Sequence, residues 1–176
     1  MEIKLRQEKP SDFKAVFDLI EKAFRTEKFS DHKEQFLVER LRQSAAFIPE
    51  LSIVAETEGK IVGHVLFTKL KIKNDENEFE SLALAPVSVL PAYQRQGIGG
   101  KLIEHGHILA KKLGFSSIVL LGHEDYYPRF GYERADKYGI SLPFEVPKEN
   151  CMVKTLTKKG LEAVSGMVVY PEEFND

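Results

Sequence analysis

The run SLALAPVSVLPAYQRQGIGGKLIEHGHILAKKL, residues 81–113, decides the fold. Its first ten residues (81–90) are apolar with little alternation, the pattern of a strand buried on both faces. Pro86 falls inside that strand. A proline cannot donate to a ladder, so it predicts an edge, a bulge or a point where neighbouring strands part. PAYQRQGIGG (91–100) is a tight turn, and a helix over 98–113 follows with Ile98, Leu102, Leu109 and Leu113 on one face. Glycines let the backbone bend sharply and let a ligand approach its N–H groups. A helix N-terminus adds unpaired donors and a dipole that favours an anion. The segment Arg95, Gln96, Gly97, Ile98, Gly99, Gly100, with Lys101 opening the helix, therefore reads as a pyrophosphate cradle beside a broken strand.

Two commoner phosphate loops do not fit. A Walker A loop aligned on Gly100-Lys101 needs glycine where Arg95 stands and Ser or Thr where Leu102 stands. A dinucleotide fingerprint starting at Gly97 fails at Leu102. The pattern that fits is Gln/Arg-x-x-Gly-x-Gly/Ala, met by Gln94, Gly97 and Gly99.

Outward from this stretch, residues 2–7 alternate as a first strand, and Pro10-Ser11-Asp12 opens a helix. Phe13, Val16, Phe17, Ile20, Ala23 and Phe24 form its apolar stripe. Asp31 and Glu34 predict a capping box for a second helix to about residue 43, with Phe36, Leu37 and Leu41 inward. Residues 51–57 and 60–72 are strands joined at Glu58-Gly59. Three antiparallel strands thus precede the glycine loop. SSIVLL (116–121) follows the helix as a buried strand, so strand–helix–strand predicts a parallel crossover. The fold class is α+β with a mixed sheet. Beyond it, GHEDYYPRFGYERA (122–135) predicts a short helix at 124–130 and a strand at 132–135, and 151–156 and 167–170 read as late strands.

Composition narrows the function. With Lys+Arg 25 against Asp+Glu 27 the net charge is −2, which points to neither nucleic acid nor an anionic membrane. One cysteine allows no intrachain disulfide and no Cys-rich metal site, and no metal is expected. The first residues lack an apolar signal core and no apolar run is long enough to span a bilayer, so a cytoplasmic protein is expected.

The strand with its QRQGIGG loop resembles the coenzyme A loop of the GNAT superfamily of acyl-CoA-dependent N-acetyltransferases. A second segment resembles the same superfamily: Tyr127, Gly131 and Tyr132 match its Tyr-x-x-x-Gly-Phe/Tyr pattern. The LGHEDYYPRFGYERA run and the tail GMVVYPEEF are similar to a bacterial branch of small predicted enzymes of this kind. The resemblance implies an acetyltransferase domain over 1–143, with 144–176 as an extension packed on it. It implies acetyl-CoA as cosubstrate, held by Gln94–Lys101 and by the backbone of Val87, Ser88 and Val89, where the central strands part. It implies Tyr127 as the acid that protonates the leaving thiolate, with Tyr126 as rival. The acceptor site would border the two first helices, near Phe24, Arg25, Phe29 and His32.

Residue type alone leaves the base open among His64, His123, Glu124, a relayed water or none. His105 and His107 read as surface groups of the cofactor helix, and Cys151 as a buried thiol. The expected activity is direct acetyl transfer to a primary amine of a small molecule or peptide. The alternatives are a CoA-sensing module that does not transfer, or an interaction protein that dimerises through the late strands.

Overall fold

The alternating and apolar runs of the N-terminal half build an antiparallel ladder. In a computed structural model, which describes residues 1–175, β1 (Lys4–Gln7), β2 (Phe47–Thr57), β3 (Lys60–Lys73) and β4 (Glu78–Val89) lie side by side in that order. Glu58 and Gly59, at φ 50° and 77°, make the two-residue turn between β2 and β3. Helix α3 (Ile98–Lys112) then carries the chain across to β5 (Ser117–Leu121), which pairs parallel with β4. The mixed sheet and its parallel crossover are as the sequence predicts.

The later strands are absorbed into the same sheet. After β6 (Glu133–Arg134) and β7 (Ile140–Ser141), β8 (Cys151–Thr155) lies between β5 and β6, antiparallel to both. β9 (Gly166–Val169) pairs with the far end of β3 and with β7. β8 and β9 each thus have a paired neighbour on both sides within the chain.

Helices α1 (Phe13–Phe24) and α2 (Glu34–Arg42) cover one face and α3 the other. Val16, Leu19, Ile20, Val38 and Leu41 pack on Val54, Leu66 and Ala85 beneath α1 and α2. Under α3, Ile98, Leu102 and Ile103 meet Ile53, Val65 and Phe67. Gly106 lets the Phe67 ring rise against the helix, since a Cβ there would lie 2.1 Å from the ring.

Several local expectations are corrected. The buried face of α3 is Ile98, Leu102, Ile103, Gly106, His107 and Ala110, while Leu113 is exposed. Leu109 is only partly buried at the edge of that core, and the Phe67 ring lies over Gly106. The capping box at Asp31 does not form: its carboxylate accepts from the Lys33 N–H, and Ser30 bonds Glu34 instead. Helix α2 therefore starts at Glu34, and it buries Gln35, Val38 and Leu41 rather than Phe36. The 124–130 helix is only a 3-10 turn over Tyr127–Phe130, because Pro128 and the left-handed Gly131 leave no room for a longer one.

Candidate active site

The site grows from the irregularity at Pro86. Val65 faces Val87 and Phe67 faces Leu84, so Ala85 and Pro86 together oppose Leu66, a bulge on β4. On its other side β4 pairs with β5 only at Leu82–Ile118 and Ala83–Val119. Beyond those pairs the two strands part. The Leu90 N–H turns back to Val62 O at 2.9 Å. Ladder groups alternate, so the amides of Val87 and Val89 point into the gap, while those of Ser88 face β3. The Ser88 side chain lies on the opposite face from Val87 and Val89, buried with its hydroxyl unpartnered.

The loop is locked to the strand it follows. The Gln94 side-chain amide donates to Val89 O at 2.9 Å, so Gln94 staples the turn. Arg95 and Gly97 take positive φ, 64° and 82°. Lys101 is the first amide to close a helical bond, to Gly97 O at 3.1 Å, which leaves the N–H groups of Ile98, Gly99 and Gly100 without intrahelical partners. No atom lies within 4 Å of where a Gly97 Cβ would stand. Arg95, Gln96 and Lys101 are exposed around this opening, and Ile98 offers only its N–H because its side chain is buried against Gly63. Three free amides, a left-handed glycine with open space and flanking cations suit a diphosphate.

The aromatic segment closes over the start of α3. A Cβ on Gly99 would sit 3.3 Å from the Tyr126 hydroxyl and 3.8 Å from Val87 and Val89, so Tyr126 stands beside both the loop and the gap. The Tyr127 ring lies against Gly122, where a Cβ would come within 2.3 Å of it, and meets the rings of Tyr126 and Tyr132 edge-on. Burial pushes the Tyr127 phenol up to about 12. Burial also raises Tyr126, against the opposing pull of Arg129.

The candidate bases separate. His64 is fully buried beneath α1 and α2, its Nε2 3.0 Å from the Ser52 hydroxyl. Ser52 donates to Glu8, which accepts a bidentate pair of hydrogen bonds from Arg42. Burial lowers His64 to about 4, and its Nδ1 has no partner. His123 and Glu124 are exposed on the turn after β5. His107 is not a surface group: it is buried and lies 2.8 Å from the Tyr132 hydroxyl, because the α3 face is turned toward Phe67. Cys151 is a buried free thiol, raised to about 11 by burial. Phe29 is 95% exposed and Arg25 and His32 are exposed, so only Phe24 of that group reaches the core.

Two features, one beneath α1 and α2 and one beside the site, had no sequence signal. The Glu8–Arg42–Ser52–His64 network joins α2, β2, β3 and the residue that follows β1. The other is a cavity of about 500 Å³ where β4 and β5 diverge, walled partly by Phe144, Tyr170 and Phe174 from the C-terminal segment.

Residues 4–135 match the family model described as an acetyltransferase (GNAT) domain. The chain is 39% identical over 136 residues to the uncharacterized N-acetyltransferase YjhQ of Escherichia coli K12, covering 75% of each. Among solved structures it is similar to the Escherichia coli GNAT family N-acetyltransferase YhbS in complex with CoA, at TM-score 0.89 and 26% identity, over 100% of this chain and 93% of that one. A GNAT family acetyltransferase from Brucella melitensis in complex with acetyl-CoA superposes at TM-score 0.81 and 33% identity, over 98% of both.

Proposed function

The chain belongs to the GNAT acetyltransferase family, and on that premise we propose that it transfers an acetyl group from acetyl-CoA directly to the primary amine of an acceptor. One observation carries the proposal: the open amides of Val87 and Val89 and the glycine-rich start of α3 are consecutive in the chain and face one gap. The relatives solved with CoA and acetyl-CoA support the choice of donor. That donor supplies an activated acetyl group and a thiolate leaving group.

The chain's own residues do the rest. The N–H groups of Ile98, Gly99 and Gly100, with the positive end of α3, hold the diphosphate. Arg95, Gln96 and Lys101 add charge and donors around it. The Val87 or Val89 N–H polarises the acetyl carbonyl, preorganised because it is fixed in a strand. As nitrogen bonds to the carbonyl carbon the carbon–sulfur bond breaks. Tyr127, neutral at physiological pH, gives its proton to sulfur and regains one as the nitrogen loses its own. Thiol release from acetyl-CoA tests the activity: primary amines should elicit it and the matching tertiary amines should not. Equal release with both would show hydrolysis and contradict the proposal.

A further inference from the structure

We propose that the acceptor is a primary amine on an uncharged, ring-bearing or alkyl body, held in the cavity where β4 and β5 part. The inference rests on the acetyltransfer proposal above and narrows its substrate class.

The cavity opens at the point where β4 and β5 part, beside the last pair Ala83–Val119. Its floor includes Leu84, just past the last β4–β5 pair, and Leu121, at the end of β5. Its volume of about 500 Å³ is that of a small-molecule pocket rather than a peptide groove. Its outer wall comes from the C-terminal segment, where Phe144 stacks on Tyr170 with ring planes 13° apart and Phe174 tilts against the same tyrosine.

The chemistry of the lining is selective. Among the described residues, none that lines the cavity is Asp, Glu, Lys or Arg. A polyamine would bury further cations without partners, and a free amino acid would bury a carboxylate likewise, each at a large desolvation cost. An aromatic or alkyl body instead gains by covering Leu121, Phe144 and Met167, all close to half exposed. The same apolar surround favours the neutral amine over the ammonium, and the neutral amine is the nucleophile. That removes the need for a base at the cavity mouth, in keeping with a His64 sealed beneath α1 and α2.

The test compares 2-phenylethylamine and hexylamine with spermidine, L-lysine and a lysine-containing peptide, by thiol release at saturating acetyl-CoA. The apolar amines should have kcat/KM at least about tenfold above the charged ones. Phe144→Asp and Met167→Glu alter side chains half exposed on the cavity wall. Each should raise KM for 2-phenylethylamine about tenfold or more while acetyl-CoA affinity stays unchanged. A preference for spermidine, lysine or the peptide overturns the inference and leaves the acetyltransfer proposal intact. So does an unchanged KM in both variants, or a dimer that occludes the cavity. If acetyl-CoA fails to bind the wild-type chain, the acetyltransfer proposal falls and this one with it.

Discussion

Tyr126 and Tyr127 are adjacent in the chain but occupy different surroundings. Tyr126 has its hydroxyl beside Gly99 and the open strand amides. Tyr127 is packed between Gly122 and Tyr132, and its phenol is pushed up to about 12. Such a phenol keeps its proton at neutral pH, and on the proposal above that protonated form donates to the departing thiolate. Tyr127→Phe keeps the ring and its packing and removes the proton. With acid catalysis worth roughly 10²–10⁴-fold, single-turnover transfer should slow by about that factor, with acetyl-CoA affinity unchanged. Tyr126→Phe should be far milder. The reverse pattern would move the acid to Tyr126, and an undiminished chemical step in Tyr127→Phe would remove the assignment. The match of Tyr127 to a motif was legible in the sequence. The packing of Tyr126 against Gly99 was not, because a glycine records only that something comes close and never what.

At the scale of elements, the β4–loop–α3 unit was the most legible part of the molecule. Its signals are local: an apolar run, one proline, clustered glycines and a helical stripe. Pro86 predicted a disruption, and the structure resolves it as a bulge that re-aims the strand just where β5 leaves it. The loop's anchor to the strand was also within reach of sequence, since Gln94 lies only five residues after its partner Val89. What local signals missed was set by distant partners. The buried face of α3 is centred on Gly106, against which the Phe67 ring of β3 lies. The start of α2 shifted because Ser30, rather than Asp31, reaches Glu34. The late strands read correctly as strands, yet their neighbours could not be named, because pairing between β8 and β5 is a contact across thirty or more residues of chain.

At the scale of the whole molecule, two histidines are sealed on opposite faces of the sheet, His64 beneath α1 and α2 and His107 on the sheet-facing side of α3. Burial lowers both to about 4, whereas an unfolded chain titrates them near 6.5. Between those values the unfolded state binds more protons, so stability is fully present above pH 6.5 and falls as pH drops toward 4. Each histidine accounts for at most about 3 kcal/mol of that loss. Asp12 acts at lower pH, since hydrogen bonds from Arg6 hold its carboxyl below the ordinary 3.8. Urea midpoints should therefore fall steadily from about pH 7 to about pH 4.5. A flat profile over that range would mean that both rings accept a proton in place.

The central claim is that acetyl-CoA binds at the gap between Val87–Val89 and the start of α3. Calorimetric titration of acetyl-CoA into the wild type and into Gly99→Val tests it most directly. The helical Gly99 backbone accepts a side chain, and the nearest obstacle is the movable end of Tyr126, so the variant should fold with a melting temperature close to the wild type's. The added methyl groups would nevertheless fill the approach to the free amides. The account predicts binding of one acetyl-CoA per wild-type chain and at least about a tenfold loss of affinity in Gly99→Val. Equal affinity in the two proteins would contradict it.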